Sequence, residues 1–366
     1  MHCHVEENEL AEHLKASLPN AKIGFYGPFA FERPEYFEKN ADFIIGGELE
    51  TAILAFFDGE YNFDAVMNYG VVKDFAALPM PDWSGMPVQK YSYFPMLHRR
   101  PFLPIQASRG CSFNCDFCPY MVSQTKLYRR RDPVSVVDEM ERNVELYGMK
   151  SFLFRDICYT LNKNYAREIS EEMLRRGLDV EWGCETRLDC LTPELIDIMV
   201  ESGLRGMNIG IESASNKILE SSGKKNPEIE HQEHIIGYLQ KKGVRINSFF
   251  MLGLTGDTPE TMRETINYAK RLNTQGAQFC VTTPFPGTSL FEKVENQLIT
   301  RDFTKYNEYE PVLDIQTSTP EEVRSAHGAA YREFYLRPNW LLRHGASTFL
   351  RLITNELSGL WRSRAN

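Results

Sequence analysis

The run Arg109-Gly110-Cys111-Ser112-Phe113-Asn114-Cys115-Asp116-Phe117-Cys118-Pro119-Tyr120 sets three cysteines in a C-x3-C-x2-C array, directly after an apolar run, Phe102 to Ser108, that reads as a strand. Three thiols packed that closely can reach one metal centre together. Iron–sulfur cubanes are held by thiolates and normally take four, and a structural zinc site also closes with four ligands. This loop supplies three, and no further Cys or His follows before Cys158. The site is either completed from elsewhere in the chain or left open for a small molecule, and an open coordination position is what catalytic metal sites keep.

Beyond the loop, strand-like runs recur at Ser151–Asp156, Val180–Thr186, Gly206–Glu212, Arg245–Leu252 and Ala277–Pro284, with helical patterns between them. The helix from Pro133 carries Val136, Val137, Met140, Val144 and Tyr147 on one stripe. Asp132-Pro133, Thr192-Pro193 and Thr258-Pro259 each pair a capping side chain with Pro at the first helical position. Thr319-Pro320-Glu321-Glu322 reads as a capping box. The six βα units in series predict an α/β fold, a partial (β/α)6 parallel barrel spanning residues 102–290. Such barrels place ligands at the carboxyl ends of their strands. That rule nominates Asp156 after the second strand, Glu185 and Arg187 after the third, Glu212 after the fourth, and Met251 and Gly253 after the fifth. A helix cap for Asp156 and a surface ion pair for Arg187 are the plain alternatives. Cys158 and Cys184, near strand ends, are weaker site candidates, and Cys190 and Cys280 read as small core residues.

Upstream, Glu6–Leu18 has helical spacing through Leu10, Leu14 and Leu18, strand runs follow at Ala21–Gly27 and Ala41–Gly47, and Glu48–Phe57 reads as a helix. Residues 1–61 are therefore a small N-terminal α/β domain, about half a doubly wound unit. Residues 62–101, rich in Pro, aromatic and turn-forming residues, read as a linker, and residues 291–366 as a C-terminal helical extension. The net charge of −9 argues against nucleic acid as the main partner. No apolar run reaches the length of a membrane span, and eight cysteines at this length are not a disulfide framework. A reducing cytoplasmic setting is expected. In the tail, Leu342, Ala346, Phe349, Leu350, Ile353, Leu357, Leu360 and Trp361 fall on one helical face flanked by Arg343, Arg351, Arg362 and Arg364. That pattern suits either packing on the barrel or peripheral contact with an anionic membrane. The basic run Tyr128-Arg129-Arg130-Arg131 reads as a solvated face, with a substrate-anion role as the alternative.

Arg-Gly-Cys-x3-Cys-x-Phe-Cys after a first strand resembles the signature of the radical S-adenosylmethionine (SAM) enzymes. The resemblance implies that Cys111, Cys115 and Cys118 hold a [4Fe-4S] cluster whose fourth iron takes the amino and carboxylate groups of SAM. It implies cleavage to methionine and a 5′-deoxyadenosyl radical that abstracts hydrogen from the substrate. It also implies that Asp156 receives the SAM ammonium, that Glu185 or Arg187 contacts SAM, that Glu212 meets its ribose or amine, and that Met251 packs on adenine. The run Ala41 to Thr51 with Gly46-Gly47-Glu48-Leu49-Glu50, the string Leu78-Pro79-Met80-Pro81-Asp82-Trp83, and Phe334-Tyr335-Leu336-Arg337-Pro338 resemble the cobalamin-linked branch of that family. The resemblance runs from about residue 20 to about residue 345 and is strongest from 105 to 290. The Asp-x-His-x-x-Gly loop that supplies the lower cobalt ligand in that branch is absent from this sequence, and His2 and His4, expected at the solvent, lack its context. The N-terminal domain is thus expected to be a truncated cobalamin-type fold, with cobalamin not favoured. Relatives of this architecture methylate unactivated carbons or oxidise and cyclise tetrapyrrole and lipid-like intermediates. The expected function is C–H oxidation or rearrangement of a hydrophobic small molecule, with an electron donor such as flavodoxin or ferredoxin. Cobalamin-dependent methyl transfer and a non-catalytic iron–sulfur or zinc protein are the alternatives.

Overall fold

The computed structural model describes residues 3–59 and 66–345. Six strands form one open, wholly parallel sheet: β4 (Phe102–Ile105), β7 (Ser151–Phe154), β8 (Glu181–Thr186), β9 (Leu204–Glu212), β10 (Arg245–Leu252) and β11 (Gly276–Val281). Their spatial order, β11-β10-β9-β8-β7-β4, follows the chain, and β4 and β11 are the two edges. Successive parallel strands need crossovers, and the helices Pro133–Tyr147, Lys163–Arg176, Pro193–Glu201, Ile229–Lys241 and Pro259–Leu272 supply them on the outer face. Three of them, from Pro133, Pro193 and Pro259, start where the sequence places a cap, as does the later helix Pro320–Tyr335. Asp132 accepts from the Val134 N–H, Thr192 from the Leu195 N–H, and Thr258 and Thr319 both close capping boxes. Val136, Val137 and Met140 are fully buried against Phe152, Ile169 and Trp182, which makes the layer between helices and sheet the main core.

The first strand is shorter than the apolar run suggests. It ends at Ile105, because the N–H groups of Ala107 and Ser108 donate to the carboxylate of Asp156 and no longer continue the ladder with β7. Ser108–Arg109 then forms β5 and pairs antiparallel with β6 (Arg129–Arg130), so this small ladder frames the cysteine loop at its base.

The N-terminal unit is a parallel sheet of β1 (Gly24–Tyr26), β2 (Phe43–Gly46) and β3 (Val66–Asn68) in that order. β3 lies in the stretch read as linker; three residues are too short for an alternation to show. The helix predicted near the start spans His4–Ser17, but its buried face carries His4 and Ala11, while Leu10, Leu14 and Leu18 are exposed. His4, expected at the solvent, is buried edge-on against Phe29 and Tyr36. Phe29 and Tyr36 in turn pack on Phe303, which joins this unit to the large domain. A second join is ionic. Glu48, at the cap of the helix Leu49–Phe57, is buried and takes both Arg129 amino groups at 2.8 Å, the Val72 N–H at 2.7 Å and Arg109 at 3.3 Å. Gly47 makes that approach feasible: its φ is +85°, and a Cβ there would sit 2.3 Å from the Gly70 carbonyl oxygen. The amphipathic tail lies, from residue 346 on, outside the described residues. No helix among the described residues is long and apolar enough to cross a membrane.

Candidate functional site

The cysteine loop is held from three sides. Gly110 has φ +85°, and a Cβ there would lie 2.1 Å from the Leu127 carbonyl oxygen, so only glycine lets the loop leave β5 against that segment. The Cys111 N–H donates to Thr125, and the Cys118 N–H turns back to Cys115. Asp116 fixes the far side: its N–H donates to the Ser222 carbonyl, its own carbonyl accepts from the Leu290 N–H, and its carboxylate accepts from Lys293 at 2.9 Å.

Loop and strand ends enclose a cavity of about 580 Å³, within the range usual for small-molecule sites. Cys111, Cys115 and Cys118 all line it. Burial pushes the Cys111 and Cys118 thiols up to about 11. Burial also raises Cys115, and the charges of Lys224 and Arg187 oppose that rise. A metal centre would deprotonate all three outright. Among the described residues no three His, Cys, Asp or Glu side chains close into a cage for a single ion. An all-thiol donor set that is open on one side fits an iron–sulfur cluster better than a closed structural zinc site.

Four of the residues nominated at strand ends line this cavity: Glu185, Arg187, Glu212 and Met251. Arg187 is locked in place. Nε and Nη2 donate to Asp189 at 2.9 and 2.8 Å, Nη2 also donates to the Lys225 carbonyl, and the guanidinium lies 3.9 Å from the Phe113 ring centre. Its Nη1 points at the Cys115 sulfur, 3.7 Å away. Glu212 is aimed by a bulge: the register of β9 against β10 slips between Phe249 and Phe250, and Glu212 takes φ +65°. Its carboxylate accepts from Lys224 at 2.8 Å, and Lys224 itself is buried and donates to the Gly210 carbonyl. Glu185 pairs with Arg155, and burial raises its carboxyl above the ordinary range.

Two nominated residues lie elsewhere. Asp156 is fully buried behind the loop, and Ala107, Ser108 and the Ser108 hydroxyl use its acceptors. Gly253 donates its N–H to Asp257 and packs against Val323. Two cysteines trade places with their expected roles: Cys184 is buried in the core, whereas Cys280 is half-buried on the cavity wall. Cys158 lines the cavity, and its sulfur is 3.9 Å from that of Cys190. Only Arg130 of the basic run keeps a solvated face: Arg129 is buried on Glu48, and Arg131 pairs with the buried Glu139.

Sequence reasoning missed Arg155, Asn208, Lys224, Asn247, Gln278 and Glu308, all on the cavity wall. Strand parity would have found three of them. Asn208 shares a face with Gly210, Asn247 with Phe249 and Met251, and Gln278 with Cys280, because alternate residues of a strand point the same way.

Residues 105–269 match the family model described as the Radical SAM superfamily. The chain is 32% identical over 296 residues to an uncharacterized methyltransferase of Pyrococcus horikoshii, covering 80% of this chain and 63% of that protein. It is 33% identical over 266 residues to the anaerobic magnesium-protoporphyrin IX monomethyl ester cyclase of Rubrivivax gelatinosus, covering 71% of this chain and 47% of that one. The chain thus spans between about half and two-thirds of the length of these relatives. Among solved structures, the radical S-adenosylmethionine methyltransferase TsrM from Kitasatospora setae, with cobalamin and a [4Fe-4S] cluster bound, shares its fold. There the TM-score is 0.64 at 18% identity, over 81% of this chain and 61% of that one.

Proposed function

We propose, from the premise that this chain belongs to the radical SAM superfamily, that it is an enzyme acting on a C–H bond of a biosynthetic intermediate. In this reading Cys111, Cys115 and Cys118 hold a [4Fe-4S] cluster, and SAM binds beside it. When bound, the cluster supplies the electron that cleaves SAM and an iron open to its amino-acid end. The protein's own part is binding and orientation. Arg187, fixed by Asp189 and Phe113, keeps a cation against Cys115. Glu212, steadied by Lys224, presents an acceptor for a hydroxyl or ammonium. Met251, with Phe117 and Phe249 nearby on the lining, gives an apolar surface for a flat ring and for the body of a hydrophobic substrate. The observation that carries the reading is that three thiols from one loop, Arg187, Glu212 and Met251 meet around one cavity at the carboxyl ends of a parallel sheet. C–H oxidation or rearrangement is the favoured outcome, with a one-electron donor of flavodoxin or ferredoxin type as partner.

The test is anaerobic reconstitution with iron and sulfide, followed by reduction with dithionite and mass-spectrometric detection of methionine and 5′-deoxyadenosine from SAM. About four irons per chain are expected, and Cys115→Ala should lose both the cluster absorbance and SAM cleavage. One equivalent of zinc, with no iron uptake, would reverse the reading. A second reading, cobalamin-dependent methyl transfer, draws on the three-stranded parallel sheet upstream of the large domain and on the methyltransferase relative. Cobalamin retained at near one equivalent through gel filtration would favour it.

A further inference from the structure

The interior of a parallel βα barrel is normally filled by branched apolar side chains. Here the wall formed by β9, β10 and β11 departs from that. Asn208 stands beside Glu185 of β8 on one side and Asn247 of β10 on the other, and Gln278 of β11 pairs with Phe249. All of them line the cavity. Asn208 is only 4% exposed. Its Nδ2 donates to the Tyr93 hydroxyl at 3.0 Å, and Glu185 lies beside it across the β8–β9 ladder. Its Oδ1 is left buried with no hydrogen-bond partner among the described residues. Leaving a buried acceptor unmade costs roughly 1–3 kcal/mol, so an unpaired Oδ1 on a cavity wall points to a donor brought by a ligand.

Charge gives the donor its sign. The cations on the lining are each matched by an acid: Arg155 by Glu185, Lys224 by Glu212, Arg187 by Asp189. Glu308 has no ion pair among the described residues; its carboxylate meets the Cys280 thiol at 3.8 Å, and that sulfur is also met by the Gln278 amide. Glu308 is held over the cavity at φ +66°, with its carbonyl oxygen accepting from the Val281 N–H at the end of β11. A non-glycine residue in that conformation is uncommon and needs a reason. Within the thiol loop, Cys111 packs with Cys158 and Cys190, and Cys115 faces Arg187.

Resting on the proposed function, we infer that the β9–β11 wall, through Asn208, Gln278 and Glu308, anchors a substrate that pairs an apolar body with a nitrogen donor, an amine or amide, and disfavours substrates bearing carboxylates. Phe249 and Phe285 on the same lining supply the apolar contact.

The experiment uses the reconstituted full chain with SAM and no reductant, and measures binding of benzylamine, benzyl alcohol and benzoate by equilibrium dialysis. These probes share a ring and differ in the charge and donor they carry. Benzylamine should bind best and benzoate worst. Glu308→Gln should weaken benzylamine about tenfold or more, as for a hydrogen bond to a charged group, while leaving SAM binding unchanged. Benzoate binding as tightly as benzylamine would overturn the inference. So would a Glu308→Gln variant that loses SAM affinity instead, since Glu308 would then serve SAM. If that variant does not fold, the benzylamine-to-benzoate ratio of the unaltered chain decides alone. Whether SAM perturbs the electron paramagnetic resonance spectrum of the reduced cluster is read separately. A cluster that responds to SAM in a protein with no benzylamine preference sinks this inference and leaves the proposed function standing.

Discussion

Replacing Glu48 by alanine tests whether the N-terminal sheet holds the cysteine loop in place. Glu48 is 4% exposed. The substitution removes the acceptors of both Arg129 amino groups and of the Val72 N–H, and leaves Arg129 buried with only the Val72, Gln124 and Leu127 carbonyls. Breaking a buried ion pair from one side costs about 3–5 kcal/mol, because the surviving charge stays desolvated. Part of that cost should fall on the loop itself, since Arg129 forms β6 with β5, and Arg109 of β5 leads directly into Gly110 and Cys111. The assay is urea unfolding of the unaltered chain, Glu48→Ala, Arg129→Met and the double variant, with iron content after reconstitution as a second reading. The double variant should lose less than the sum of the singles, because neither charge is then stranded. The loss should also depend on pH. Burial raises the Glu48 carboxyl, but hydrogen bonds from Arg129 and Val72 and the charge of Arg109 outweigh it and hold the group below its ordinary value of 4.5. A depressed folded value gives stability that is present above the unfolded value and lost as pH falls through the folded one. The gap between the unaltered chain and Glu48→Ala should therefore be full at neutral pH and close in acid. A cost under about 1 kcal/mol, the scale of a surface pair, or singles that simply add, would refute the clamp.

Asp156→Ala should cost about 2–5 kcal/mol, since two backbone N–H groups and the Ser108 hydroxyl lose their acceptor. Burial lifts Asp156 from 3.8 to about 6, so the folded state binds this proton more tightly. The advantage of the unaltered chain over Asp156→Asn should then shrink as pH rises from about 4 to 6, which thermal melts across that range will show. For the tail, anionic liposomes should sediment the full chain more than a chain ending at Arg337, and more so at low salt, if its arginines each add about 1 kcal/mol at such a surface. Equal recovery in the supernatant removes the membrane reading.

The parts of the site that the sequence revealed are those whose signal is local. The cysteine spacing, the Pro-followed caps at Asp132, Thr192, Thr258 and Thr319, and the apolar runs of β7 to β11 are each readable within a window of a dozen residues, and the structure keeps them all. Strand-end logic brought Glu185, Arg187, Glu212 and Met251 to the cavity because position along a parallel strand fixes height in the barrel. It failed for Asp156 because height does not fix which side of the strand a residue faces. Asp156 turns back onto the β4 end, and its two N–H partners there are what break the first strand. Other misses are non-local. Glu48 and Arg129 are 81 residues apart, and nothing in either stretch shows that the acid is reserved for that base. In sequence the acid therefore reads only as the start of a helix, and the base as part of a solvated face. Glu308 sits in a loop without periodicity and reaches the cavity only through its left-handed backbone and the Val281 hydrogen bond. The wall of Asn208, Asn247 and Gln278 stands between these cases. Each amide alone is an ordinary polar residue in a strand, and only the register that sets Asn208 beside Asn247 and Gln278 beside Phe249 makes them one surface. A polar row on a face that packing would fill with branched apolar residues is a conflict between local choice and global fold, and such conflicts concentrate where a protein meets its ligand.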